Sequence, residues 1–151
     1  MHHAARGLVL AAAVLLARPS RAALGEPVES VARDQAALRA EARATTERGA
    51  FTVHELDAGG TTVREYVTPD GRVFAVAWSG LAHPDLHPLL GAYADDYQRA
   101  AEATPSPHGQ RSQRVTGTDV VVERWGHMRD RHGRAYVPSL LPTGVHVDAL
   151  Q

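Results

Sequence analysis

The chain has 151 residues, 44% hydrophobic and 22% charged, a composition typical of a globular protein rather than a disordered or collagen-like one. Its 16 basic and 17 acidic residues nearly balance, which argues against nucleic-acid binding driven by bulk charge. The absence of cysteine excludes disulfides and cysteine nucleophiles, and the absence of lysine excludes a Schiff base and a P-loop lysine.

Residues 1–22 have the pattern of an export signal. The uncharged segment Gly7–Ala17 lies between two arginines, and no acidic residue occurs in this region. Its length fits the core of a signal peptide and falls short of the roughly 20 residues that span a bilayer. Small residues at Ser20 and Ala22 predict cleavage after Ala22. The expected product is a single domain, residues 23–151, that is periplasmic or secreted and has no membrane span; an uncleaved anchor or a buried helix is the alternative.

The first element of the mature chain is predicted to be a helix over residues 30–46. This segment is rich in alanine and arginine, which favour helix. Ser30 is a suitable N-cap, and Gly49 follows as a stop signal.

Residues 51–78 predict an antiparallel β-meander of three strands. The turn signals are Gly59-Gly60, which supplies positive φ angles, and Pro69-Asp70-Gly71. Both faces of the meander are apolar, so it is either covered on both sides or leaves one apolar face for a partner. Counting from the turns assigns one face to Val53, Tyr66, Phe74, Val76 and Trp78, and the other to Leu56, Val63, Val67, Val73, Ala75 and Ala77.

The second half of the chain predicts one helix and a second β-hairpin. Apolar residues at helical spacing indicate a helix over residues 86–103, with Asp85 as its cap. A linker at 104–110 follows, and then a hairpin at about 115–137 with a loop at 130–133. The predicted fold class is therefore α+β.

Seven segments of the mature chain occur together in an order that resembles a known family. They are Gly60–Val67, Pro69–Gly71, Val73–Gly80, Pro84–Leu86, Leu89–Gly91, Gly126–Arg129 and Gly133–Pro138. This pattern resembles the domain-of-unknown-function family 2844, which consists of small exported proteobacterial proteins. The resemblance covers nearly all of the mature chain and implies an envelope location. That family has no established activity, so the resemblance supplies no catalytic residues.

The richest candidate site is the segment 124–136, which combines arginines with aromatic side chains. Arginine forks suit phosphate and carboxylate groups, and neighbouring aromatic rings suit sugar faces. The segment is explained by a hairpin whose outer face is simply solvated, and alternatively it predicts a binding site for a lipid headgroup, an acidic glycan or an acidic patch of a partner. The candidate residues are Arg124, Trp125, His127, Arg129, Arg131, Arg134 and Tyr136.

Histidine and carboxylate residues supply only weak catalytic and metal signals. The turn at Gly59-Gly60 places His54 opposite Glu65, and such a pair can act as an oriented base. With His127, this pair defines an alternative function, a small periplasmic hydrolase or ligand-binding enzyme. The segment His83–His87 spaces two histidines four residues apart, but the intervening aspartate suits a helix cap. No catalytic set, metal site or cofactor is predicted.

The export signal, the doubly apolar meander and the lack of a catalytic set favour a non-catalytic binding or interaction domain. An envelope or secretion protein is the expected partner. Anionic glycan or lipid binding through the arginine-rich hairpin is a second alternative.

Overall fold

The described residues form a seven-stranded antiparallel sheet with helices on one face. The structure, a computed structural model, describes residues 24–105 and 111–151. The strands run in the order β1-β2-β3-β4-β7-β6-β5 across the sheet. Their bounds are Glu41–Glu47 (β1), Thr52–Asp57 (β2), Thr61–Val67 (β3), Val73–Gly80 (β4), Ser112–Thr116 (β5), Val121–His127 (β6) and Asp130–Tyr136 (β7). The predicted α+β class and the β-meander are confirmed.

Three α-helices pack on one face of the sheet, with bounds Val31–Ala37 (α1), Leu86–Leu90 (α2) and Ala94–Ala103 (α3). The single helix predicted over 86–103 is instead broken at Gly91, whose φ of 51° starts a 3-10 turn between α2 and α3. The predicted cap is confirmed, since the Asp85 carboxylate accepts a hydrogen bond from the His87 amide at 2.9 Å.

The helix predicted over residues 30–46 was wrong in its second half. The helix ends at Ala37, Arg39 adopts a φ of 51°, and the chain continues as β1 paired with β2. Every residue of β1 is exposed at the edge of the sheet. The segment therefore lacks the alternation of apolar and polar residues that predicts a strand. Ser30 is not an N-cap either, because its backbone is already helical and its side chain makes no cap bond.

The face assignment within the meander also needs correction, because β4 contains a bulge. Tyr66 pairs with Ala75 while Val67 pairs with Val73, so Phe74 is an extra residue. The bulge moves Val76 and Trp78 to the helix-covered face and Ala75 and Ala77 to the face of Tyr66.

The apolar part of the sheet's other face is covered by the C-terminal segment 138–151. Leu150 is fully buried there against a cluster that includes Tyr66 and Phe74. The Tyr66 hydroxyl donates to the Gln151 carbonyl at 2.8 Å and accepts from the Gln151 amide at 3.0 Å. The meander is therefore covered on both sides, and the open apolar face expected for a partner is absent from the part of the sheet described.

The hairpin predicted at 115–137 contains three strands rather than two. The turn between β6 and β7 is formed by Met128 and Arg129, and Arg129 has a φ of 62°. Residues 130–133, expected to be a loop, lie in β7. Gly133 is needed there for close packing, since a Cβ at this position would lie 2.2 Å from the Trp78 ring.

The predicted signal peptide, residues 1–22, and the linker residues 106–110 lie outside the described residues. Within residues 24–105 and 111–151, no helix combines the length and apolar character needed to cross a membrane.

Candidate functional site

The uncovered half of the sheet's second face forms a polar groove of about 980 Å³. Successive side chains of a strand point to opposite faces of the sheet. Paired residues of β3, β4, β7, β6 and β5 therefore form a row of side chains across this face. The C-terminal segment closes one end of the row. Side chains that line this groove include Arg64, Ser79, Arg114, Trp125, His132, Arg134 and Asp148.

Ion pairs hold the groove walls in place. Glu123 accepts hydrogen bonds from both Arg114 and Arg134, one with each carboxylate oxygen. On the opposite side, Arg64 Nε donates to Glu55 at 2.9 Å. The Arg134 and Glu123 side chains are only 15% and 14% exposed, so water screens this pair far less than a surface pair.

An aromatic pair on β6 and β7 lies next to the Glu123–Arg134 ion pair on the same face. The Trp125 and His132 rings are nearly parallel, at 7°, with centroids 6.0 Å apart. The Arg134 guanidinium lies 5.6 Å from the centre of the Trp125 ring. His132 Nε2 is 2.8 Å from the Asp130 carboxylate, which fixes the imidazole ring. Both rings are half-buried and are therefore available to a ligand along part of their surface.

Arg134 also joins the groove to the C-terminal segment. Its Nη1 donates to the Val147 carbonyl, and its Nη2 lies 3.5 Å from the Asp148 carboxylate. One buried guanidinium thus links β6, β7 and the segment that closes the groove.

The structure brings together only some of the candidate residues in segment 124–136. Trp125 and Arg134 meet in the groove, and the buried Tyr136 hydroxyl accepts a bond from Arg114 at 3.3 Å. Arg124 lies on the helix-covered face, where its guanidinium is 5.6 Å from the centre of the Tyr97 ring and burial lowers its pKa.

The remaining candidates are separated from that pair. His127 and Arg129 are exposed at the tip of the β6–β7 hairpin. Arg131 pairs with Gly126 across the hairpin, and alternation places it on the same face as Arg124. The four arginines therefore do not form one patch.

The sequence analysis missed the groove residues that come from distant strands. Arg64, Ser79 and Arg114 are separated along the chain by up to 50 residues and meet only because β4 pairs with β7. The strand order, which no local motif indicates, is the information that was needed.

A second polar cluster lies under α1, within the helix-covered core. Asp34 on α1 and Glu65 on β3 are both fully buried, as is Ser30. Among the described residues, no group outside the carboxyl pair donates a hydrogen bond to any of the four carboxyl oxygens of Asp34 and Glu65. Desolvation by burial raises the pKa of Asp34 from 3.8 to about 7 and that of Glu65 from 4.5 to about 9. Two adjacent carboxylates that are buried in the core cannot both ionise freely.

The predicted register of His54 opposite Glu65 is confirmed, but the two side chains have different partners. The His54 Nδ1 atom lies 3.2 Å from the Thr45 hydroxyl. Burial lowers the pKa of His54. Since a general base must reach a substrate proton and Glu65 is fully enclosed, this pair presents no substrate-facing carboxylate.

His83 has a structural partner, whereas the His87 side chain is exposed. His83 Nδ1 accepts a hydrogen bond from the buried Trp78 indole at 2.8 Å. Among the described residues, no group of three or more histidine, aspartate or glutamate side chains could hold a metal ion.

A protein-family model described as "Protein of unknown function (DUF2844)" matches residues 20–150. The chain belongs to the DUF2844 family. The resemblance inferred from the sequence is thereby confirmed. No curated protein and no solved structure matches the chain. Because membership of DUF2844 assigns no activity, a functional proposal depends on the groove itself.

Proposed function

We propose that this DUF2844 protein is an exported, non-catalytic binding domain and that its ligand occupies the groove on the second face of the sheet. The observation that carries the proposal is that the two halves of this face differ in polarity and in whether they are covered. Its apolar half is covered by the C-terminal segment, whereas its polar half is open. Concave sites with a few fixed polar groups are where proteins hold ligands.

Preorganisation of the walls supports binding as the role of this groove. Glu123, Arg134 and Arg114 fix one another, and Arg64 is fixed by Glu55. Side chains that are already immobilised lose little further entropy when a ligand binds. The groove carboxylates are engaged by arginines, and this pairing suits positioning better than proton transfer.

Export is part of the proposal, and its test is the mass of the protein recovered outside the cytoplasm. Cleavage after Ala22 predicts that the exported chain begins at Ala23. We expect the intact mass of protein from the periplasm or culture medium to match residues 23–151. A recovered chain that retains residues 1–22 would contradict cleavage.

Site-specific photo-crosslinking in the native envelope tests the groove. A photoreactive phenylalanine analogue is placed at Ser112 or Asp148, which border the groove, in the full-length chain. The matched controls carry the same analogue at Ala36 or Glu102, which are exposed in the helical layer. We expect adducts from the two groove positions and none from the two helical positions.

Adducts from all four positions at equal yield, or none from the groove, would overturn the proposal. The far-ultraviolet circular dichroism of each variant verifies that the fold is intact. Mass spectrometry of the adducts separates a protein partner from a glycan or a lipid.

A further inference from the structure

We infer that the groove binds a saccharide chain and recognises it through hydroxyl groups rather than through net charge. The inference rests on the proposed function, because it names the ligand class of the same groove. It follows from three properties of the groove: its charge balance, its hydrogen-bonding groups and its aromatic pair.

Among the described residues that line the groove, three arginines are paired with carboxylates, and the guanidinium of the fourth, Arg124, lies against the Tyr97 ring on the helix-covered face. Arg64 is matched by Glu55, and Arg114 and Arg134 are matched by Glu123 and Asp148. A site that selects an anion by charge requires uncompensated cations. Ion pairing within these walls therefore removes the Coulombic attraction that a row of arginines would otherwise provide.

The same side chains still offer hydrogen bonds. A guanidinium has five N–H groups, and Arg64 uses its Nε for Glu55 and its Nη1 for the Ser79 hydroxyl, the latter at 3.4 Å. Arg114 is 57% exposed and Asp148 is 90% exposed. Donors and acceptors are therefore both accessible in the groove, as the hydroxyls of a sugar require, since each hydroxyl both donates and accepts.

The aromatic pair supplies the apolar contact. A pyranose ring has an apolar face of C–H groups, and flat aromatic rings bury such a face while their polar edges remain hydrogen-bonded. The Trp125 and His132 rings are half-buried and nearly parallel, and Arg134 and Asp130 fix their positions. A volume of about 980 Å³ leaves room for several linked sugar units.

Calorimetric titration of the mature chain with defined oligosaccharides tests this inference. The neutral probes are glucose and N-acetylglucosamine oligomers of about six units, and the charged probe is a galacturonic acid oligomer of the same length. We expect a neutral oligomer to bind with an affinity that changes less than about twofold between about 50 and 500 mM NaCl.

Two groove variants and one matched control assign the site. Trp125→Leu removes the indole ring, and Arg114→Gln removes an exposed guanidinium. Each is expected to weaken binding of the neutral oligomer by about tenfold or more, equal to about 1.4 kcal/mol. Met128→Ala changes a side chain that is 85% exposed on the same hairpin but outside the groove lining, and it should leave the affinity unchanged.

Three results would overturn the inference. Binding confined to the galacturonic acid oligomer, with an affinity that falls steeply with salt, would show that charge is recognised. Unchanged affinity in both groove variants would place the sugar site elsewhere. Finally, no binding of any oligomer would exclude saccharides. If crosslinking still captured a protein or lipid in the groove, the proposed function would stand while the saccharide inference failed.

Discussion

The free energy of unfolding of the wild-type chain is expected to fall by several kcal/mol between about pH 5 and pH 9 because of the buried pair of Asp34 and Glu65. The pKa values of the two carboxyls in the folded chain, about 7 and about 9, lie above their ordinary values of 3.8 and 4.5. Across this window the folded state therefore holds more protons than the unfolded state, and stability must decrease as pH rises.

The pH at which this stabilisation is present follows from the same values. It is complete below about pH 4, where both carboxyls are protonated in either state, and it is lost by about pH 9. Glu65 retains its proton to the higher pH and can donate it to Asp34, which gives the two buried carboxyls a hydrogen bond.

The double variant Asp34→Asn/Glu65→Gln provides the decisive comparison. Two amides of similar shape cannot ionise, so its stability should change little over the window in which the wild type weakens. Urea denaturation at intervals of pH measures both curves. Asp95→Asn/Glu102→Gln, which neutralises two exposed carboxylates on α3, is the control and should follow the wild type. Parallel curves for the wild type and the buried variant would contradict the assignment.

Local turn chemistry made the meander predictable. Gly59, Gly60 and Gly71 all adopt positive φ angles, so the turns inferred from glycine alone occur where expected. With these turns fixed, the register of His54 against Glu65 followed by counting. The bulge at Phe74 was not predictable in this way, because it arises from pairing between β3 and β4 and leaves no sequence signal.

Long-range pairing explains what the sequence could not indicate. The segment that forms β1 has the composition of a helix, yet its backbone hydrogen bonds to β2 decide its structure. The candidate site, too, could be predicted only in part from the sequence. Trp125 and Arg134 were predicted from a local cluster, whereas Arg64 reaches the groove only through the order of the strands. The burial of Asp34 beneath α1 is likewise a property of the packed molecule.

Replacement of Gly133 is expected to destabilise the fold strongly. A Cβ at this position would lie 2.2 Å from the Trp78 ring and 2.7 Å from the Glu123 carbonyl oxygen. Trp78 cannot move aside easily, because it is fully buried and its indole donates to His83. Gly133→Ala is therefore expected to cost about 3 kcal/mol, the upper part of the range for overpacked cores.

A double-mutant cycle with Trp78→Phe separates the side-chain clash from the backbone clash. The indole atoms nearest the added methyl group are Cζ2 and Cε2, which belong to the six-membered ring of the indole, and phenylalanine has a single, smaller ring in place of the fused pair. We therefore expect Gly133→Ala to be less destabilising in the Trp78→Phe background, with a coupling of about 1 kcal/mol or more in urea denaturation. Part of the cost should remain in that background, because the Glu123 carbonyl belongs to the neighbouring strand. If the two changes were additive, the indole would not be what requires glycine at the centre of β7, directly beneath the floor of the groove.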